Sequence, residues 1–291
     1  MNKSKYVLLG GGLGDIVLST PIYQALKLKY STHKICVLYK TDSQEQILRN
    51  NPHIDALVKF NIYYKVLSYF RFIKPYTIEY AYLRPSFAYT DKKAQEIIAE
   101  MVDVSLEHPK LQIFLSTQED IEAQNMLAEY KNPIVIHVTS LTSKDQMWPV
   151  EYWVKLIKSL PQYTFLQIGL TSEQYIPGSI DLRGKTKVRL SMALVKHAAS
   201  FIGVVSFLSH VTNAFNKPGV VLFGPSSTDV WGHINNINVV KNLPCSPCVD
   251  LLIGSVCPYG QPCMKLISVE EVHSALLSQI GNLNEEEKVG G

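Results

Sequence analysis

The feature that most constrains this fold is a run of glycines placed directly after a short apolar segment. Residues 6–9 are apolar and typical of a strand, and glycines dominate residues 10–14. Apolar side chains then recur at a helical period before a second apolar segment, 34–39. Strand, glycine turn, helix and strand make a βαβ unit, so the sequence predicts an α/β fold with parallel strands.

A second alternation of strands and helices begins near residue 131. Strand patterns at 134–138 and 164–169 flank a helical pattern at 150–160, and the alternation continues to a strand pattern at 219–224. The chain of 291 residues is long enough for two domains of ordinary size. The predicted organisation is two domains and a disordered polar tail, at 1–130, 131–280 and 281–291.

Composition narrows the class of protein. Hydrophobic residues make up 46% of the chain and charged residues 18%, which excludes disorder for most of it. The net charge of +3 is too small to indicate nucleic-acid binding, but it suits a small anionic ligand. The sequence lacks an apolar stretch long enough to span a bilayer and a signal-peptide pattern, so we expect a cytoplasmic protein.

The glycine turn also has a chemical meaning. Gly11, Gly12 and Gly14 would let a ligand approach the backbone at the start of a helix, where anionic groups are favoured. The turn does not match the dinucleotide fingerprint, which needs glycine at position 15, and no G-K-[ST] phosphate loop follows. Asp15 is therefore either a helix cap or a carboxylate at the mouth of a binding cleft.

Short motifs elsewhere in the chain follow one another in order. They are G-L-G-D-I-V-L-S-T-P at 12–21, N-P-H-I-D at 51–55, W-P-V-E-Y-W at 148–153, D-L-R-G-K-T at 181–186, and His210 followed by L-F-G-P at 222–225. The ordered set resembles glycosyltransferase family 9, the heptosyltransferase family, over most of the chain. No single motif is specific, but their order is.

The resemblance implies a GT-B fold, in which two Rossmann-like domains face each other across a cleft. It also implies inverting transfer of a sugar, heptose or a related one, from a nucleotide-diphospho-sugar that is often ADP-linked. The donor would bind the C-terminal domain, and a saccharide, lipid-linked saccharide or protein hydroxyl would bind the N-terminal domain. No metal or other cofactor would take part in catalysis.

The resemblance assigns roles to residues on both domains. Asp15 matches the base that deprotonates the acceptor hydroxyl. Thr139, Ser140 and Lys144 follow the first strand of the second domain and match groups that stabilise the leaving diphosphate. The family carries its lysine two residues before the tryptophan, where this chain has Gln146. Either Lys144 serves instead, or the diphosphate site is weakened, or Lys144 is a solvated surface residue.

Further matched positions lie on the donor side. Glu173 matches a residue that contacts the ribose, or is an ordinary surface carboxylate, and His210 faces the diphosphate or is structural. Ser206 lies between Val205 and Phe207, which replace the Asp and Gly of the family. Losing that Asp removes a charge-assisted hydrogen bond to the sugar, worth about 1.5–3 kcal/mol. The remaining donor-side candidates, which bind phosphate or form an ordinary turn, are Gly224, Pro225 and Ser226.

Four of the five cysteines are clustered late in the sequence. A C-x-x-C pair followed by two more cysteines has the count and part of the spacing of a tetrahedral thiolate site for zinc or iron. Such a metal would be structural, because the protein supplies every ligand. The alternatives are free or packed thiols and, less readily in a reducing compartment, disulfides. The four candidates are Cys245, Cys248, Cys257 and Cys263.

The leading hypothesis is thus an inverting glycosyltransferase. Val205 and Gln146 favour one alternative, a non-catalytic binding or assembly protein with a degenerate donor site, and another is a different GT-B enzyme such as an epimerase. The expected partners are a nucleotide-diphospho-sugar and a saccharide, glycolipid or protein acceptor, without nucleic acid. Peripheral contact with the inner face of the membrane is a further expectation. The tyrosines within 61–90 are either packing residues or an aromatic acceptor platform.

Overall fold

The computed structural model describes residues 3–81, 92–140, 143–217, 219–248 and 256–289, without the side chains of Lys144 and residues 282–289. The tyrosines at 82 and 89, part of the predicted aromatic platform, lie outside the described residues. The chain divides into two compact units, Met1–Ser116 and Thr117–Gly291. Each unit is built on a parallel sheet, so the predicted α/β fold with two parallel sheets is confirmed.

The first unit contains a four-stranded sheet in the order β3-β2-β1-β4. Its elements are β1 (Ser4–Leu9), α1 (Leu13–Leu18), α2 (Thr20–Lys29), β2 (Lys34–Tyr39), α3 (Asp42–Leu48), β3 (Ala56–Lys59), α4 (Ile62–Tyr69), β4 (Tyr76–Ile78) and α5 (Ala94–Met101). Strand β1 pairs with β2 on one side and with β4 on the other. The chain therefore reverses its winding between β1 and β4, the kind of position at which α/β sheets bind ligands.

The second unit contains a six-stranded sheet in the order β10-β9-β8-β5-β6-β7. Its elements are α6 (Thr117–Leu127), β5 (Pro133–His137), α7 (Val150–Ser159), β6 (Thr164–Gln167), β7 (Ile180–Asp181), α8 (Val188–His197), β8 (Ser200–Val204), α9 (Phe207–Ala214), β9 (Val220–Phe223), α10 (Thr228–Trp231), β10 (Ile237–Val240), α11 (Pro262–Lys265) and α12 (Val269–Val289). The winding reverses between β5 and β8, which pair in parallel. A second candidate ligand position lies there.

Helix α6 belongs to the second unit. The boundary between the two units therefore follows Ser116 and lies before the boundary predicted at residue 130. Arg189 is a buried residue of α8. Its Nε and Nη2 donate hydrogen bonds to the two carboxylate oxygens of Glu119, at 2.7 and 2.5 Å. Asp120 accepts from Lys196 Nζ at 2.8 Å and lies 2.7 Å from His197 Nε2. These ion pairs fix a largely polar helix whose apolar pattern is too weak to reveal its location in the sequence.

The last helix continues into the stretch predicted to be a disordered tail. Helix α12 extends to Val289. The extension has a physical basis, because its Glu and Lys residues are good helix formers that follow an already formed helix. Within the part of the chain that the structure describes, helices are too short or too polar to cross a membrane.

Candidate active site

The first candidate group is the carboxylate of Asp15, at the carboxyl edge of β1. Strand β1 ends at Leu9, and helix α1 begins after the glycine turn, with Gly12 as its N-cap. Asp15 Oδ2 accepts a hydrogen bond from Gly12 N–H at 3.0 Å, and Oδ1 accepts one from Ala81 N–H at 3.1 Å. Ala81 follows β4, so Asp15 joins the two sides of the switch between β1 and β4.

Asp15 is both a capping residue and an unusual acid. Its side chain is buried, with only 6% of the residue exposed. Burial raises the pKa of Asp15 to about 6, although the backbone N–H groups of Ala81 and Gly12 act in the opposite direction. At neutral pH the carboxylate is ionised yet close to its pKa, which suits a group that accepts and returns a proton. Asp15 therefore caps α1 from its third residue, with Gly12 and not Asp15 as the N-cap, and its location in a binding cleft stays a prediction.

The glycine turn leaves no room for side chains beside this carboxylate. A Cβ at Gly11 would lie 2.7 Å from Asp15 Cβ, and one at Gly10 would lie 2.7 Å from Ile78 O. A Cβ at Gly12 would meet the Tyr80 ring at 3.3 Å. These glycines thus allow close packing of the turn around Asp15. The predicted Gly14 lies within α1.

The second candidate group lies at the carboxyl edges of β5 and β8. His137 ends β5, and its Nδ1 lies 2.9 Å from the hydroxyl Oγ of Ser206, the N-cap of α9. His137 Nε2 lies 3.7 Å from Glu173 Oε2, and both side chains are buried. The structure therefore brings together two predicted residues, Ser206 and Glu173, through a histidine that the sequence analysis did not single out.

Glu173 is a buried, ionised acceptor. Burial alone would raise the pKa of Glu173, but the His137 ring, Leu170 N–H and the Thr139 hydroxyl together hold it below its usual value. Oε1 accepts from Leu170 N–H at 3.0 Å. Oε2 and the Thr139 hydroxyl are buried without a hydrogen bond of ordinary length to any described residue. These two oxygens therefore keep unused hydrogen-bonding capacity beside His137, and half-buried Ser140 follows Thr139.

The position of the family lysine is filled by a buried amide. Gln146 donates from Nε2 to Ser226 Oγ at 2.8 Å, and its Oε1 has no hydrogen-bond partner in the described chain. Ser226 is thereby engaged inside the protein. The backbone of Lys144 begins one turn of 3-10 helix, and its side chain lies outside the described residues.

The other donor-side candidates have structural partners. A Cβ at Gly224 would lie 2.5 Å from Met264 Sδ, and Pro225 O accepts from Cys248 N–H at 2.8 Å. His210 is buried on α9, with Nδ1 2.8 Å from His233 Nε2. Burial, with the nearby His233, lowers the pKa of His210 well below its usual value. His210 is therefore neutral and packed, as its structural interpretation requires.

Apolar side chains occupy the positions where the resemblance predicts Asp and Gly. Val205 is buried, and the Phe207 ring meets the His137 ring edge-on at 6.2 Å between centroids. Neither side chain can accept a hydrogen bond from a sugar. The packing of Val205 and Phe207 is thus consistent with the predicted loss of a hydrogen bond to the sugar.

The cysteine cluster is not assembled as a metal centre in this structure. The cysteines are all free, and Cys36 lies by itself in β2. Burial, and then the neighbouring thiols of the cluster, raise the pKa of Cys248 to about 11. The described residues contain no group of three or more His, Cys, Asp or Glu side chains that could hold a metal ion. Asp145 instead accepts from Cys257 N–H at 3.0 Å and from Gln261 Nε2 at 2.6 Å.

This chain has two α/β units, each with polar groups at the switch point of a parallel sheet. That architecture is the one of GT-B-like enzymes. Solved structures show the same fold. Family 9 glycosyltransferase of Veillonella parvula matches with a TM-score of 0.70 and 17% identity, over 97% of this chain and 98% of its own. The ADP-heptose LPS heptosyltransferase II of E. coli matches with a TM-score of 0.70 and 17% identity, over 97% and 99%.

A third structure is the iron-containing dodecameric glycosyltransferase TibC of enterotoxigenic E. coli. Its TM-score is 0.72 at 17% identity, over 97% of this chain and 78% of its own. The sequence profile described as glycosyltransferase family 9 (heptosyltransferase) matches residues 87–252, more than half of this chain. The chain therefore belongs to glycosyltransferase family 9, which confirms the resemblance. A comparison with curated protein sequences finds no match.

Proposed function

We propose that this protein is an inverting glycosyltransferase that uses Asp15 as its general base. One observation carries the proposal: a buried carboxylate lies at the switch point of the first sheet, with its pKa raised to about 6. Both of its oxygens are held by backbone N–H groups, and each retains a lone pair for a proton. Such a group is positioned by the main chain, and its pKa lies near the pH at which it would accept a proton.

The proposed step exchanges one bond at the anomeric carbon and transfers one proton. The acceptor hydroxyl oxygen attacks the anomeric carbon from the face opposite the diphosphate, and the bond from that carbon to the diphosphate oxygen breaks. The hydroxyl proton passes to Asp15, and the bonding electron pair leaves with the diphosphate. The configuration at the anomeric carbon inverts, as direct displacement requires.

The donor is proposed to bind at the switch between β5 and β8. Glu173 Oε2, unsatisfied in the described chain, would accept from a ribose hydroxyl. The hydroxyls of Thr139 and Ser140, with the N-terminus of α9 at Ser206, would stabilise the negative charge of the leaving diphosphate. An ADP-linked heptose is the proposed donor, because TibC, which shares the fold, has been crystallised with ADP-D-β-D-heptose.

The acceptor is proposed to bind the first unit near Asp15, as a saccharide, glycolipid or protein hydroxyl. The assignment follows from the location of the base, since the proton must pass directly from the acceptor to Asp15. The predicted cytoplasmic location, at the inner membrane face, remains a prediction.

A ligand-binding screen tests the donor assignment. ADP-heptose should raise the melting temperature by several degrees, because a ligand at 100 times its Kd stabilises the folded state by about 2.7 kcal/mol. GDP-, UDP- and CMP-sugars should not. The variant Glu173→Gln should lose most of the shift, whereas Glu122→Gln, on the exposed face of α6, should retain it. A shift with another nucleotide family alone would contradict the ADP assignment.

A non-catalytic binding protein is the second candidate, and the packing at the donor edge favours it. Buried Gln146 stands where the family has lysine, and Val205 where it has Asp. If no nucleotide-sugar shifts the melting temperature, this second function replaces the first. Binding of ADP-heptose without hydrolysis or transfer to any acceptor would have the same consequence.

We also propose that Cys245, Cys248, Cys257 and Cys263 hold a structural zinc or iron ion, apart from catalysis. Cys248 lies within electrostatic range of the other three thiols, and four thiolates are a donor set that both metals accept. As placed, the described residues do not form the coordination group, so binding requires the four thiols to converge. TibC, which shares the fold, is iron-containing.

Elemental analysis of protein purified without chelator tests the metal proposal. We expect close to one metal ion per chain, lost in Cys245→Ser and retained in Cys36→Ser, which changes the isolated thiol of β2. A content below about 0.2 ion per chain in the wild type would contradict it, because structural thiolate sites bind metal tightly enough to survive purification.

A further inference from the structure

An exposed apolar face lies on α4 of the first unit. Helices packed on a sheet normally bury an apolar stripe, yet α4 contributes no buried side chain. Tyr64 contacts the ring of Tyr6, with 6.4 Å between centroids, on the inner side of the helix. Ile62, Val66 and Tyr69, spaced i, i+4 and i+7, share the opposite face and are exposed.

The turn after α4 extends this face with two phenylalanines. Arg71 adopts a left-handed conformation with φ 59°, and Phe72 N–H bonds back to Leu67 O at 2.9 Å. The Phe70 ring lies 5.1 Å from Tyr69 and 6.5 Å from Phe72, between centroids. Tyr69 is 80% exposed and Phe72 77%. The rings therefore pack on one another rather than in the core. We call Ile62, Tyr63, Val66, Tyr69, Phe70 and Phe72 the aromatic surface.

The chain segment that carries the aromatic surface has charges of one sign. No acidic residue lies between Asp55 and Glu79, and the cations there are Lys59, Lys65, Arg71 and Lys74. Lys59 pairs with Asp42 at 3.1 Å. The other three cations form no ion pair with a carboxylate of the described residues. An aromatic face on a segment with three unpaired cations is complementary to the apolar interior and anionic headgroups of a bilayer.

We propose that the aromatic surface docks this protein onto an anionic phospholipid bilayer. Tyrosine and phenylalanine side chains on a short helix enter the headgroup boundary without spanning the membrane. Each lysine or arginine near the surface adds attraction to anionic headgroups. A second copy of the chain is a poorer partner, because a two-fold interface would bring the same unpaired cations together. The proposal goes beyond the transfer reaction and involves none of the residues around Asp15.

Vesicle co-sedimentation of the whole chain tests the proposal without any sugar, so its outcome is independent of transferase activity. Partitioning should be at least tenfold greater onto phosphatidylcholine vesicles with about 30% phosphatidylglycerol than onto phosphatidylcholine alone, and should fall at high salt. The double variant Phe70→Ser, Phe72→Ser should lose about tenfold or more. Its matched control is Leu28→Ser, Ile234→Ser, two exposed apolar residues elsewhere.

A charge-reversal variant provides a second test of vesicle binding. The triple variant Lys65→Glu, Arg71→Glu, Lys74→Glu should lose about 100-fold or more in partitioning onto the anionic vesicles, because each cation contributes roughly a factor of five. A control with the same change in net charge replaces three exposed lysines elsewhere, Lys110, Lys131 and Lys158, with glutamate. Equal partitioning onto both vesicle types, or equal losses in variant and control, would overturn the proposal. Self-association that the phenylalanine variant abolishes, without vesicle binding, would also overturn it and assign the surface to a second copy.

Discussion

Replacing Asp15 with asparagine should lower the rate of sugar transfer by about 10²–10⁴-fold, the usual contribution of a positioned general base. Asparagine keeps the size of the side chain but cannot take the acceptor proton. Because burial raises the pKa of Asp15 to about 6, kcat/KM of the wild type should increase as the pH rises through about 6 and then level off. The residual activity of the variant should lack that step. A full transfer rate would contradict the mechanism.

Two controls separate the chemical role of Asp15 from its structural one. Asp42→Asn makes the same substitution at an exposed carboxylate that pairs with Lys59, and it should leave the rate unchanged. In Asp15→Asn the new amide group faces an N–H donor of Gly12 or Ala81, which costs about 1–3 kcal/mol. Removal of the buried charge offsets this cost at neutral pH, so we expect the variant to fold. Donor binding, measured as the melting-temperature shift with ADP-heptose, should persist, because the proposed donor residues lie in the second unit.

The pH dependence of stability gives a further independent check on Asp15. The pKa of the folded state is raised above 3.8 to about 6, so the folded protein binds this proton more tightly than the unfolded chain. The contribution of Asp15 to stability is therefore greatest below 3.8 and falls, by roughly 3 kcal/mol, as the pH rises to about 6. Urea titrations of both proteins should therefore show the stability of the wild type falling relative to that of Asp15→Asn over this pH range.

Replacing Glu119 with glutamine should lower the free energy of unfolding by about 1.5–3 kcal/mol, because it removes the negative charge from two charge-assisted hydrogen bonds to the buried guanidinium of Arg189. The pair is bidentate, and the Arg189 side chain is only 7% exposed. The loss should come from the second unit, since α6 and α8 both belong to it. Urea unfolding followed by tryptophan fluorescence measures the change, because the tryptophans of the chain, Trp148, Trp153 and Trp231, lie in that unit.

The matched control is Glu122→Gln, an exposed position on the same helix, which should change stability by less than about 0.5 kcal/mol. Equal stabilities for the two variants would show that the pair of Glu119 and Arg189 does not fix α6 on the second unit. This ion pair would then not explain why α6 belongs to the second unit.

Strong periodic patterns made much of the fold predictable. The helix predicted at 150–160 is observed as Val150–Ser159, and the strand pattern at 134–138 as Pro133–His137. Both segments are strongly apolar, and local pattern determines such elements. Helix α6 was missed as part of the second unit because ion pairs to residues about 70 positions away hold it there, and sequence periodicity carries no trace of them.

The candidate site was predictable as residue types but not as partners. Asp15 could be singled out from its position after the glycines, whereas the Ala81 N–H that holds it comes from the segment after β4, 66 positions away. His137 was missed, although a histidine that ends an apolar strand before a polar loop is a usable signal. The pairing of Gln146 with Ser226 joins residues 80 positions apart, and no local pattern encodes it.

The hydrogen bonds that fix Asp15 determine which nearby residues can be substituted without moving its carboxylate. Its two hydrogen-bond donors are main-chain groups, at Gly12 and Ala81, which every residue except proline can supply. The neighbouring constraint is steric and falls on the glycine turn, where a side chain at Gly11 would displace the carboxylate and one at Gly10 would meet Ile78 O. Outside these glycines, substitutions that keep the backbone path should leave the carboxylate in place, so its geometry depends on backbone paths rather than on a set of partner side chains that must evolve together.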